Sequence, residues 1–409
     1  MSAVLAVSEF RALWFAEAQS VAGDQLAKVA LMIMVYSRTG SAWWAAAVYA
    51  LTFLPALAGG LGLSQLADRF PRKPLMVTCS LIQAALVGLM AIPNVPIEIL
   101  CVLVVGVQLV QSPALAAQQA VTREVFTDDA LYLRSQDLRG ITTNTLMLVG
   151  LAGGGLLVVG IGTSLALAAD ALTFLIAALV VQRWVHNRPV AGKKEDGWFH
   201  ATRWVFSQRK MRVLLALTWL VGLVVVPEGL AAPLAHEMGA SPAAVGWLLA
   251  ADPLGFVIGA FVLSHYVGPQ HRIRIVGVLA TLSVGMLVGF LLHPNLAFAL
   301  TLLALAGATG AYSITVGAAF NTWAPNGLRG GAFGIARTGM RVAQGLGVAL
   351  GGAVAELTGS AMNTVGLAGV VGLLIAVPAT IAWRSVQRGL RSELGYPTTV
   401  TQRSAETTN

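Results

Sequence analysis

Leu66-Ala67-Asp68-Arg69-Phe70-Pro71-Arg72-Lys73-Pro74-Leu75-Met76 is a charge-dense stretch wedged between two long apolar segments. It is too short to fold alone, so its charges must sit at the mouths of the helices it joins. Around it the chain is 56% hydrophobic and only 11% charged, where a soluble globular protein carries about 25% charged residues. This is the composition of a membrane protein, and the 44 glycines suit helices that approach closely in lipid. Cys79 and Cys101 both fall in apolar segments and read as buried thiols, with no disulfide or metal site expected. The net charge of +8 does not point to nucleic acid, because the basic residues lie in loops without interleaved aromatics. The chain's first ten residues are short and carry Glu9, so no cleavable signal peptide is expected.

A membrane-crossing helix needs about 20 apolar residues. Twelve such segments can be drawn, at about 10–36, 42–66, 74–93, 96–121, 136–160, 162–184, 211–235, 241–266, 272–292, 295–322, 330–355 and 361–383. Lysine and arginine crowd the connections after the even-numbered spans and the C-terminal tail, whereas Arg38 alone stands in the opposite connections. The positive-inside rule then predicts a multi-pass protein of the cell membrane with both termini in the cytoplasm. Four regions follow: a six-helix half over 1–184, a cytoplasmic linker over 185–210, a second six-helix half over 211–384, and a polar, disordered tail over 385–409. The linker carries Lys193 and Lys194 and an amphipathic stretch in which Trp198, Trp204 and Phe206 suit the membrane interface.

The halves echo each other. Arg139-Gly140, followed by Gly150 and Gly153-Gly154-Gly155, recurs as Arg337 and Gly339, followed by Gly347 and Gly351-Gly352. The loop 265–274 occupies the place of 66–76 but lacks its acid. Such repeats suit a transporter with a midplane site between two parallel halves.

The opening stretch resembles the signature loop of the major facilitator superfamily, G-x-L-a-D-r-x-G-R-k-x-x-l. Leu66, Asp68, Arg69, Arg72 and Lys73 match it, while Ser64 and Pro71 stand where its glycines belong. The first span, with Phe10-Arg11-x-Leu13-Trp14, Ser20-x-x-Gly23-Asp24, Ala30-Leu31 and Thr39-Gly40-Ser41, looks like the macrolide-efflux and enterobactin-exporter branch. The resemblance implies an all-α integral membrane fold of twelve transmembrane helices in two pseudo-symmetric six-helix bundles. It also implies alternating access powered by a proton gradient, with no other cofactor and no metal. That branch is described as exporting drugs or siderophores. An acid after glycine in the first span is common there, so Asp24 matches; Lys28 has no such counterpart. Many antiporters of the superfamily carry an arginine in the fourth span, which this chain lacks, and Arg139 is the expected substitute.

Ionisable side chains inside a span cost roughly 2.5–3.5 kcal/mol each on insertion scales and are functional candidates by default. In the first span Glu17, Ser20, Asp24 and Lys28 share one helical face. Asp24 and Lys28 are spaced for an ion pair, a purely structural role, or Asp24 or Glu17 takes up a proton while Lys28 releases or captures the carboxylate. Glu228 follows Pro227 and Asp252 precedes Pro253, and each proline frees backbone beside its acid, so both are further proton or cation candidates. Asp170 is assigned a structural hydrogen bond, and Glu356 a solvated position on the rim. The glycines of the fifth span serve either as pliant contact or as static packing.

Asp68, Arg69, Arg72 and Lys73 form the expected gate, with Asp68 at the amino-terminal end of the eleventh helix or paired with Arg123 or Arg134. Gln108 and Gln111 on the fourth span suit a hydrogen-bonding wall or helix–helix contact. With Trp14, Tyr49, Phe53, Tyr312 and Arg341 they make up the expected substrate cavity, although aromatic side chains serve equally as interfacial anchors. Arg341 is either an anion-attracting wall or a snorkelling cation.

The sequence therefore predicts a monomeric proton-coupled antiporter exporting small amphipathic or drug-like compounds. The alternatives are export of an anionic siderophore or metabolite, or a receptor without transport. No phosphate-binding Gly-x-x-x-x-Gly-Lys-Ser/Thr loop occurs, and the six histidines have no catalytic or metal-ligand spacing, so no enzyme is expected. The partners expected are the small-molecule substrate, protons and the lipid bilayer.

Overall fold

Lipid offers no partner for a bare amide or carbonyl, so apolar segments of this length become helices. The computed structural model describes residues 2–53, 66–126, 128–187, 198–325 and 328–393. Among these, nine helices are long and apolar enough to cross a membrane. Three spans complete the set of twelve. The first, Ser8–Thr39, is diluted by its own acids and Lys28. The second is described over Ala42–Ala50, and residues 54–65 of its expected length lie outside the described residues. The eleventh, Arg329–Thr358, carries Arg337, Arg341 and many glycines. The molecule is an all-α membrane protein of two six-helix bundles.

In the first bundle, the third, fourth, fifth and sixth spans are Arg72–Met90, Ile97–Val125, Asp129–Ile161 and Thr163–Trp184. The seventh span starts at Arg209–Trp219 and continues as short pieces, Val221–Val224, Val226–Gly229 and Ala231–Glu237. Pro227 and Pro233 remove backbone donors there, which breaks the ladder. The eighth is Ala244–Tyr266 and the ninth Pro269–Gly285 with a 3-10 extension, Met286–Leu292. The tenth is Leu296–Gly310 and Tyr312–Trp323. The twelfth, Ala361–Glu393, runs ten residues past its expected end at 383. Linker residues 188–197 and tail residues 394–409 lie outside the described residues, and a helix, Trp198–Ser207, stands before the seventh span.

Apolar side chains such as Val102 and Leu374, each 70% exposed, point outward, as a lipid-facing surface requires. Within the first bundle the first and sixth spans pack closely because Gly23 leaves room for Asp170 and Thr173. Between the bundles, the substantial contacts join the second span to the eleventh and the fifth to the eighth, with the seventh span touching the first and second. Gly155 and Gly246 lie against Ala243 and Leu151 backbone, and Gly352 lies against Ala46; a Cβ at any of them has no space. These residues are at the ends of the spans away from the linker. The bundles thus meet at the far end, opposite the linker.

Candidate functional site

At mid-depth, side chains from both bundles converge. Tyr49 of the second span donates a 2.5 Å hydrogen bond to Glu228 Oε2 of the seventh. One turn further along the second span, Phe53 stacks edge-on to Tyr49, ring centroids 5.4 Å apart. The Arg341 guanidinium of the eleventh span sits 5.6 Å from the centre of the Phe53 ring, a cation–π contact. Lys28 lies in the electrostatic reach of Asp24, Arg341, Glu228 and Asp170, and Asp252 in that of Glu228. Asp252 Oδ1 and Gln344 Oε1 are buried with no hydrogen-bond partner. The site therefore holds acids from both bundles, two cations, an aromatic pair and, at Asp252, an unfilled acceptor.

The broken seventh span explains how Glu228 is presented. Pro227 interrupts regular helical bonding, so the backbone bends where Glu228 must reach the second span. Tyr49 and Phe53 are held by the core around them, both buried.

Asp24 and Lys28 occupy one face as expected, yet no direct ion pair joins them among the described residues; Lys28 instead donates to Gln25 Oε1 at 3.3 Å. Glu17 is fully engaged. Arg139 grips it through Nε and Nη2 at 2.5 and 2.8 Å, and Gln118 adds a bond of 3.2 Å. This ties the first, fourth and fifth spans together, which makes Glu17 and Arg139 a brace. Asp170, 1% exposed, accepts from the Thr173 hydroxyl at 3.2 Å.

Several expected positions have specific partners. Tyr312 is 1% exposed, and its hydroxyl donates to the Leu217 carbonyl at 2.7 Å, so it belongs to the core of the second bundle. Trp14 donates to Thr142 at 3.0 Å across the first and fifth spans. Gln108 and Gln111 line cavities whose walls, among the described residues, come from the first bundle. Glu356 is exposed, but it is a cross-bundle link: its carboxylate accepts from Ser41 Oγ at 3.0 Å and Trp43 N at 3.2 Å. It thereby caps the second span from the eleventh.

In the signature loop, Arg72 is buried and salt-bridged to Glu124 of the fourth span, while Arg69 is exposed and Lys73 half-buried. The Asp68 side chain lies outside the described residues. Arg123 covers the Tyr132 ring at 4.8 Å, and its expected pairing with Asp68 falls outside the described residues. In the second bundle the corresponding Arg272 donates to the carbonyls of Val267 and Ser264 at 2.6 and 2.8 Å, closing the end of the eighth span.

Sequence reasoning picked out Gln344 on one stripe with Arg337 and Arg341, but it missed Glu124 and the reach of Glu356, for which no local signal exists.

A family model described as Major Facilitator Superfamily matches residues 12–230 and again 214–398. No curated protein matches the chain by sequence. Solved structures with the same fold include the nucleoside transporter NupG, with a TM-score of 0.69 at 14% identity over 91% of this chain and 98% of that one. A bacterial homolog of the human lysosomal transporter Spinster, inward-facing and unoccupied, gives 0.72 at 13% identity over 93% and 96%. The POT family transporter PepTSo gives 0.71 at 13% identity over 93% and 99%. At these identities the likeness is one of fold.

Proposed function

From the premise that this chain belongs to the Major Facilitator Superfamily and is a transporter, we propose that it is a proton-coupled antiporter exporting small amphipathic compounds from the cytoplasm. In this reading the linker end faces the cytoplasm, as the basic loops require, and the far end is the outer one.

The observation that carries the reading is the Tyr49–Glu228 hydrogen bond between the bundles. A bond from a phenol to an ionised carboxylate is charge-assisted and strong. A proton on Glu228 removes that charge and loosens the only link of its kind that crosses at mid-depth among the described residues. Proton occupancy and bundle separation are thereby linked. Substrate binding acts on the same balance, because Phe53, Tyr49 and Arg341 present an aromatic and cationic surface while Asp252 presents an unfilled acceptor. Such a surface suits an amphipathic organic molecule bearing a hydrogen-bond donor, whose donor fills an acceptor that is costly to leave bare. Transport needs a ligand with different affinities for the two open states, and these groups change partners as the bundles part.

The test is reconstitution in liposomes holding a pH dye, with cationic, neutral and anionic siderophore-like compounds supplied in turn. Amphipathic compounds are expected to drive proton movement that Glu228→Gln abolishes. Equal proton movement in wild type and Glu228→Gln would remove Glu228 from the path. Movement with the anionic compounds alone would transfer the reading to anion export.

A further inference from the structure

Two cavities lie end to end inside the first bundle. The larger, of about 110 Å³, is lined by the inner halves of the first, third, fourth and sixth spans. Glu17, Ser20, Ser80, Gln83, Gln111 and Gln118 give it a polar wall. The smaller, about 40 Å³, lies toward the far end, with Lys28, Thr52, Gln108 and Asp170 among otherwise apolar neighbours. Both volumes exceed the ~10–15 Å³ that one water needs. Asp24 is the one residue that lines both.

We propose that the first bundle holds its own aqueous route for the coupling proton, entered from the linker end, apart from the path of substrate, and reaching Asp24, which Lys28 couples to Glu228 in the cleft. This rests on the antiport reading above. The polar wall offers hydroxyls and amides that hydrogen-bond a file of water from Glu17 to Asp24. A dehydrated metal cation needs a cage of oxygens instead, and no cluster of metal-binding side chains occurs among the described residues. The charged groups near Asp24 can be named among the described residues. Lys28 stands on its own span, Asp170 on the sixth, and Glu17, held by Arg139, at the cavity's other end. Lys28 also feels Glu228 and Arg341, so it carries news of the charge on Asp24 to the cleft. The third span packs on the fourth and sixth, without substantial contact to the second bundle. A solute that reaches Ser80 therefore arrives through the interior of the first bundle.

Silver ion, small enough for the cavity, is the probe. In inside-out vesicles of the full chain carrying Cys79→Ser and Cys101→Ser, single cysteines are placed as Ser80→Cys, Met90→Cys and Val102→Cys. Silver protection against later maleimide labelling of denatured protein is followed in time. Ser80→Cys is expected to react about tenfold or more faster than lipid-facing Val102→Cys, since thiol reactivity needs access to water. Met90→Cys, beyond Asp24, is expected to match Val102→Cys. Equal rates at Ser80 and Val102, or full reactivity at Met90, would overturn the route. In a second arm, Ser80→Leu fills the cavity and is expected to slow proton movement in liposomes at least about tenfold, while substrate–substrate exchange through the cleft persists. Loss of both together would also overturn it. If wild type moves no protons with any substrate, the antiport reading fails by itself, whatever silver shows.

Discussion

Buried charge is least costly where partners surround it, and Glu17 shows such an arrangement. Three donors from two other spans meet its carboxylate. Removing one member of such a pair strands the other, at a cost of about 3–5 kcal/mol. Arg139→Ala is therefore expected to lower the melting temperature of the detergent-solubilised protein strongly. Arg139→Lys keeps the charge but not the planar fork, and an intermediate melting temperature is expected. Equal melting of all three proteins would show that the brace contributes nothing. Tyr49→Phe removes a hydroxyl without altering the packed ring, so folding should persist while proton-driven transport falls; unaltered transport would discount the Tyr49–Glu228 bond. At this scale the sequence showed which residues carry charge. It did not show partners, because Ser41 and Glu356 or Tyr49 and Glu228 lie far apart along the chain and meet only through the packing of whole bundles.

Elements were more legible. A run of apolar residues between charged loops forces a helix in lipid, and most spans drawn from composition agree with the helices within a few residues, while the fifth starts seven residues earlier and the twelfth ends ten later than drawn. The repeated glycines also keep their meaning: Gly155 crosses to the eighth span and Gly352 to the second, a symmetric pair of contacts that closes the far end. What composition concealed was the break-up of the seventh span into short pieces and the cap that Glu356 places on the second. Losing an N-cap costs about 1 kcal/mol, roughly a fivefold change in an equilibrium. Glu356→Ala is thus expected to raise the far-end-open population about fivefold, read as faster labelling of a cysteine placed at Ala42. Gly246→Val should act more strongly in the same direction, because its side chain would meet Leu151 and Gly155 backbone. Unchanged labelling in both variants would mean that these contacts do not hold the far end shut.

For the molecule as a whole, the signature loop and the charge asymmetry made the fold legible at once. The substrate cavity was legible only in part. Gln108, Gln111 and Tyr312 face the interiors of their own bundles, since a polar side chain within a span signals burial in protein without saying which neighbour supplies it. The far end is joined by the Glu356 cap, the glycine contacts and Tyr36 stacked edge-on to His236 at 5.7 Å. The mid-depth cluster stands between that closed end and the linker end. Protonation of Glu228 should therefore weaken the cross-bundle bond and favour opening of the far end. The most direct test places spin labels in pairs, at Arg38 with Ser360 and at Gln182 with Arg212, and measures both distances in nanodiscs as pH is lowered. The account predicts a longer far-end distance and a shorter linker-end distance at low pH, with Glu228→Gln holding the low-pH distances at every pH. Distances that ignore pH, or a Glu228→Gln variant that responds as wild type does, would contradict it.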